Sequence, residues 1–528
     1  MEVSNATQIF KLGFLDIAVF LAFIVFVVAH GIFKGRKEET GEDYFLASRG
    51  LNWCLIGFTL IAANISTEQF VGMSGSAAGK AGLAIASYEW IAAITLVFVA
   101  IFFLPRFLAS GIYTIPEYLE YRYNAAARGI MALYMMIIYV GVTIAAVIYS
   151  GGITISTIFA GNDILGMPLT LKTSAWFVGI AAATYVFCGG LKACAWADLI
   201  QGSALIAGGA VVMLFGFKAV GGASHFFDAN RDKLHMILPA DNPMVPWTSL
   251  VVGLWIPNFY YWGLNQYISQ KTLAAKNLRQ GQLGVIFAAA LKLLIPFVVV
   301  IPGIMALQLY KGQMTSTTDC AYPLLIKNLI PIGVRGFILA ALAGAVMSTL
   351  AAMLNSASTI FTMDIYKRHI KKDASQKSLV WMGRFTTVLF VVVSCLIAPQ
   401  LGNPKFQGIF NYIQEFQGYI SPGILAAFVF GMIFKRTPPA AGIAALTLCV
   451  PIYGLLQWQF PQIAFLNRMA ITFGMLLVVM AVITAVAPLT EPKKMPMKEG
   501  FDMRPASSVL WLGALVIIAT LTLYVIFW

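Results

Sequence analysis

Apolar residues run along this chain in long stretches separated by short polar punctuation. A helix needs roughly 20 consecutive apolar residues to cross a bilayer core. On that scale the pattern predicts spans near 11–32, 53–77, 84–108, 128–160, 173–192, 195–218, 248–270, 281–310, 332–364, 379–400, 406–434, 437–457, 467–488 and 506–527. The expected class is therefore an all-α polytopic membrane protein of about 14 transmembrane helices. The two longest spans, 128–160 and 332–364, must tilt, bend or run on past the bilayer.

Two spans are interrupted. In the first, five of the six positions from Asn64 to Gln69 are polar (Asn64-Ile65-Ser66-Thr67-Glu68-Gln69). A continuous lipid-facing helix does not tolerate that run, whereas an unwound segment lining a cavity does, because its freed carbonyls then meet an ion or water. The second reads Trp255-Ile256-Pro257-Asn258-Phe259-Tyr260-Tyr261-Trp262-Gly263. Pro257 removes a backbone donor and predicts a break there, unless it is an ordinary proline kink among core aromatics. The interrupted spans open two blocks of five, 53–218 and 248–434, with 11–32 before them and three spans over 437–527 after. Five is odd, so the blocks insert with opposite topology. Paired broken helices at the head of inverted repeats point to a secondary transporter with a midplane site.

Composition agrees. Hydrophobic residues make up 59% and charged residues 11%, against about 25% charged in ordinary soluble domains. A mean hydropathy of +0.82 cannot be wrapped into a soluble globule. Disorder and nucleic-acid binding are excluded as main readings. The net charge of +13 needs no acidic ligand, because the 35 Lys and Arg are scattered in short clusters between apolar runs. Most collect on alternate loops, among them Lys34-Gly35-Arg36-Lys37, Lys367, Arg368, Lys371, Lys372, Lys493 and Lys494. Positive charge marks the cytoplasmic side, which predicts a multi-pass cell-membrane protein with both termini extracytoplasmic. Six cysteines show no paired spacing and the four histidines are scattered, so neither a disulfide framework nor a metal cluster is indicated. With no activated nucleophile in view, an enzyme is the poorest reading.

Charge at membrane depth defaults to function. Lys292 lies well inside the 281–310 span and either pairs with a neighbouring helix or lines a polar cavity. Glu89 lies near the start of the third span and is either interfacial or part of the same polar lining. The ninth carries Ser348 and Thr349 in a run of small residues; these hydroxyls either bond their own helix or face the freed carbonyls of Ala62 and Ile65. A cage of hydroxyls and carbonyls suits sodium, a hard cation that takes oxygen ligands.

Four motifs then converge. Ala62-Ala63-Asn64-Ile65-Ser66-Thr67-Glu68-Gln69-Phe70-Val71-Gly72-Met73-Ser74-Gly75, Ala86-Ser87-Tyr88-Glu89-Trp90, Cys188-Gly189-Gly190-Leu191-Lys192-Ala193 and Leu354-Asn355-Ser356-Ala357-Ser358-Thr359-Ile360-Phe361-Thr362-Met363-Asp364-Ile365-Tyr366 resemble the sodium/solute symporter family, in particular its sodium/galactose and sodium/glucose branch. The resemblance covers nearly the whole chain. It implies a LeuT-type 5+5 inverted repeat with one extra N-terminal and three extra C-terminal helices, and sodium-driven import of a small solute by alternating access. It also implies a sodium site at Ala62, Ile65, Ala345, Ser348 and Thr349. For the sugar it implies Gln69, Glu89, Asn258, Lys292 and Gln414, with Tyr261 stacked beneath as the inner gate and Met73, Tyr88 and Phe410 as the lid. A further serine of that site is Ala92 here, which removes one contact. Asp198 matches an acidic position where some members place a second sodium, but Ala351 lacks the hydroxyl that two-sodium members often carry, so one sodium is expected. The partners implied are a monosaccharide, sodium and the lipid bilayer. Competing readings are the same fold carrying myo-inositol, another polyol or sialic acid, and, from a different class, a sodium-dependent channel or sensor.

Overall fold

The computed structural model describes residues 12–35, 50–161, 163–164, 166–188, 191–314, 317–406 and 408–528. Arg36 and Lys37, and Gly189 and Gly190 of the 188–193 motif, lie outside them.

Each predicted span overlaps helix. Among the described residues nine helices are long and apolar enough to cross a membrane, ten if the bent pair Ile409–Gly418 and Ser421–Ile433 is one span. Three predicted spans, 53–77, 248–270 and 406–434, do not pass as single helices because each is broken or bent. The Trp53–Asn64 helix ends at the polar run and resumes through a π turn at Gln69–Met73. The long spans 128–160 and 332–364 are continuous helical stretches, Ala125–Ile158 of 34 residues and Val334–Ile370 of 37. Outward-facing Phe14, Trp381, Val486, Trp511 and Val525 are exposed, as expected where lipid rather than water is the solvent.

Lipid provides no hydrophobic drive between helices, so close backbone contact matters. Gly57 and Gly284 make such a contact where Trp53–Asn64 crosses Leu278–Lys292. A Cβ on Gly284 would sit 2.9 Å from the Trp53 carbonyl oxygen, and one on Gly57 3.1 Å from that of Gly284. Around this crossing Val334–Thr359 packs on Leu191–Ala219 and on the first helix, Phe14–Gly35. Asp16 fixes that first helix: it accepts the Gly333 and Gly336 amides at 2.7 and 3.0 Å and pairs with Arg335 at 3.0 Å. Ser507–Ile526 covers Ser87–Phe98 and Leu278–Lys292, while Pro439–Gln459 and Phe465–Val486 pair with each other and with Ser421–Ile433.

The loop over 219–247 forms a short helix, Ala223–Ala229, and a turn, Arg231–Lys233. Lys233 donates to the Gly79 carbonyl at 2.7 Å, and His235 Nδ1 lies 2.9 Å from the Trp528 carbonyl oxygen. It ties the far end of the first broken span to the C-terminal residue.

Two breaks differ from expectation. Pro257 does not interrupt its helix. It sits in the first turn of Trp255–Phe259, where its missing N–H would be unpaired in any case. The interruptions fall on either side, at 252–254 and at Asn265, which is extended (φ −81°, ψ 123°). The span 406–434, read as continuous, bends by 47° between Gly418 and Ser421; the polar stretch Gln414-Glu415-Phe416-Gln417 just before it and Ser421-Pro422-Gly423 just after it mark the place in the sequence.

Candidate functional site

The first break frees two carbonyls. In a continuous helix the Ser66 and Gln69 amides would bond Ala62 and Ile65. Here the Ser66 amide bonds the Asn64 oxygen and the Gln69 amide bonds the Ser66 oxygen, each at 3.0 Å. Ala62, Ile65, Ala345, Ser348 and Thr349 are all buried, on segments of two helices that pack together, Trp53–Asn64 with its C-cap Ile65 and Val334–Thr359. The Thr349 hydroxyl oxygen is buried without a partner. Ser348 donates instead to Asp198. The other oxygen of Asp198 takes Lys271 at 2.7 Å, and Lys271 also donates to the Thr59 carbonyl at 2.9 Å. Asp198 therefore reaches the predicted sodium ligands through a hydroxyl, already balanced by an ammonium group.

A second set of predicted residues meets in one cavity. It is lined by Gln69, Tyr88, Glu89, Asn258, Tyr261, Phe410 and Gln414, with Asn64, Pro257, Trp262 and Gln417. Lys292 stands behind this wall, fully buried, donating to Glu89 and to the Asn64 side-chain oxygen. Its ammonium lies 4.8 Å from the centre of the Trp262 ring, a cation–π contact in a desolvated setting. Asn64 turns its amide nitrogen to the Tyr261 hydroxyl at 3.1 Å, and Tyr267 donates to the same hydroxyl. One polar chain thus links Glu89, Lys292, Asn64, Tyr261 and Tyr267. The Tyr88 and Phe410 rings meet edge to face with centroids 4.8 Å apart. Met73 is fully buried in the π turn that packs on Ile409–Gly418.

What remains free inside the cavity matters most for recognition. The Gln69 and Gln414 side-chain oxygens and the Tyr88 hydroxyl are buried without partners. Among the described residues the only cation at the wall, Lys292, is paired with Glu89. Among the described lining residues the site offers neutral acceptors and hydroxyls over aromatic faces and no unbalanced charge, although the unpaired Glu68 carboxyl lies next to Gln69, outside the lining.

Sequence reasoning passed over Asn64 as a site residue, although it lies in the polar run that marked the break. It also missed Trp262, Gln417 and Lys271. Trp262 looks like an ordinary membrane-helix residue in sequence, whereas Gln417 belongs to the polar stretch Gln414-Glu415-Phe416-Gln417, of which only Gln414 stands among the expected site residues. Only the fold brings Lys271 to Asp198.

A freed-carbonyl segment facing buried hydroxyls, next to a polar cavity with an aromatic lid, is the layout of an ion-coupled carrier. The model of the Sodium:solute symporter family matches residues 44–446. The chain belongs to that family. The symporter is 39% identical to the "Sodium/glucose cotransporter" of Vibrio parahaemolyticus, over 98% of its own length and 99% of the relative's. It is 32% identical to the "Sodium/myo-inositol cotransporter 2" of Sus scrofa, covering 85% of this chain and 71% of that one. A solved structure, a substrate-bound outward-open Na+-coupled sialic acid symporter, matches with a TM-score of 0.77 over 92% of this chain and 100% of that one, at 21% identity. At that identity the likeness speaks for the fold alone, which is of the LeuT type. The symporter is thus a multi-pass membrane carrier that moves a small solute together with sodium, and not an enzyme.

Proposed function

We propose that the symporter imports a monosaccharide of the galactose or glucose kind, driven by one sodium ion. The observation that carries this reading is the charge balance of the cavity. Lys292 and Glu89 neutralise each other, while the Gln69 and Gln414 oxygens and the Tyr88 hydroxyl have no partner. A pyranose presents a ring of hydroxyls and a flat apolar face. Amide oxygens, a carboxylate, a lysine and the Tyr261 ring suit both. A solute with its own carboxylate would need a cation to itself, and Lys292 is engaged, which disfavours an acidic sugar. The Vibrio relative named for glucose spans nearly the whole chain. The inositol relatives support a second reading, a neutral cyclic polyol, because such a ring meets the same acceptors.

Sodium would sit between the Ala62 and Ile65 carbonyls and the Ala345 carbonyl, Ser348 and Thr349. There it ties the first broken helix to Val334–Thr359 and orders Gln69, three residues beyond the break. Sugar then lets Phe410, Tyr88 and Met73 close above, and parting of Tyr261 from Asn64 opens the way below. Coupling follows because both ligands favour the same conformations. In this reading the repeats are 53–218 and 248–434, and both termini lie outside the cell membrane. The test is uptake in proteoliposomes, measured separately for labelled galactose, glucose, myo-inositol and sialic acid under an inward sodium gradient. Uptake of a hexose but not of the other two solutes supports the sugar reading. Uptake of myo-inositol alone moves it to polyols, and uptake of sialic acid alone overturns neutral recognition.

A further inference from the structure

Six carboxylates are buried among the described residues. Asp16, Glu89, Asp198 and Asp364 each pair with a lysine or arginine. Glu68, inside the first broken span, and Asp319 do not. Asp319 lies in the turn Thr318–Cys320, between the spans 281–310 and 332–364 and outside both, yet it is only 1% exposed.

Its neighbours explain the burial. Asp319 Oδ2 accepts the Tyr149 hydroxyl at 3.1 Å and the Ile409 amide at 3.2 Å. Ile409 opens the helix that carries Phe410 and Gln414. Asp319 Oδ1 has no partner and faces two glycines. A Cβ on Gly75 would lie 2.9 Å from that oxygen, and one on Gly408 3.2 Å from it. Three elements close around this carboxylate: the outer half of the first broken span, the Ile144–Ile158 helix through Tyr149, and the lid-bearing helix. Among the described residues no basic side chain faces it. Tyr149, Cys320 and Tyr322 are the titratable groups near it. Lys327, farther along the next helix, is bonded to the Thr157 carbonyl, and Glu415 on the lid-bearing helix pairs with Arg468.

We propose that Asp319 is a positioning residue that holds the lid helix shut, and that a proton on its carboxyl strengthens the hold. This rests on Phe410 and Tyr88 forming the outer lid. In the closed arrangement burial pushes the Asp319 carboxyl up to about 6. If Ile409–Gly418 swings away, water reaches the carboxyl and it returns towards the ordinary value of about 4. The proton therefore binds the closed gate more tightly than the open one. Its contribution to closure is fully present below the open-gate value and is lost as pH rises through about 6. Acid on the loop side favours a shut lid; neutral pH releases it.

The test uses Gln414→Cys as a reporter beneath the lid, with Cys320→Ser, in proteoliposomes. A membrane-impermeant maleimide is confined to the side of the 311–330 loop. No solute is needed, so the gate can be read even if every sugar fails the uptake assay. With Asp319 intact, labelling at about pH 7.5 is expected to be several-fold faster than in Asp319→Asn, which keeps acceptor geometry but cannot ionise. At about pH 5 the two rates converge. Asp319→Ala, without the acceptor, labels fastest at both. The pH dependence of the thiol itself is common to all three and cancels in the ratio. A ratio of intact to Asn protein that does not change with pH would overturn the proposal. So would an Ala variant no faster than intact protein at the acid pH. If the Ala variant does not fold, the Asn comparison still decides.

Discussion

Lys292 and Glu89 form an ion pair at membrane depth, with both side chains buried, and the wall of the solute cavity is neutral because of it. Removing one partner of such a pair leaves an uncompensated charge, typically costing about 3–5 kcal/mol. Glu89→Gln and Lys292→Met are each expected to lower the melting temperature and abolish uptake. The double variant should recover most of the melting temperature, because no lone charge remains, but not the uptake. Recovery of transport in the double variant would mean that the pair only supports the fold.

Ser348→Ala addresses sodium. If the hydroxyl is a ligand, the sodium concentration for half-maximal uptake rises about tenfold, equivalent to ~1.4 kcal/mol, in protein that still folds. Sodium activation identical to the parent would remove Ser348 from the site.

Lys271 and Asp198 are coupled in the same way. Lys271→Met leaves the Asp198 carboxylate with the Ser348 hydroxyl alone, and the melting temperature should fall sharply. Adding Asp198→Asn should restore much of it. A double variant as unstable as the single would show that Lys271 acts through packing.

The Gly284 contact predicts a steric effect. Its Cβ would meet Ile56 side-chain atoms at 2.6 and 2.7 Å and the Trp53 carbonyl oxygen at 2.9 Å. Overpacking of this kind costs about 1–3 kcal/mol. Gly284→Ala should lower the melting temperature measurably, whereas Gly312→Ala, with open space around it, should not. Equal stability of the two would contradict the close helix crossing.

The parts of this molecule that are legible in sequence are those where lipid imposes a rule. Apolar length marks the spans, and the run from Asn64 to Gln69 marks a break because polar backbone and side chains cannot face hydrocarbon. Pro257 misled because proline breaks a helix interior but is harmless in a first turn, and sequence alone did not show where that helix starts. The bend at Tyr419 and Ile420 lies between Gln414-Glu415-Phe416-Gln417 and Ser421-Pro422-Gly423, a signal that is legible but easily read as part of one apolar span. Lys292 stood out as an anomaly. Its bond to Asn64, the capping of Val334–Thr359 by Asp16, and the reach of Lys271 to Asp198 all join distant segments, which only the packed fold brings together.

The most direct measurement is uptake of labelled galactose and glucose into proteoliposomes under an inward sodium gradient and under an equal potassium gradient. Accumulation of at least one hexose above equilibrium with sodium only is the predicted result. Equal uptake of the two sugars under both gradients, or none under either in vesicles holding folded protein, would contradict sodium-driven sugar import.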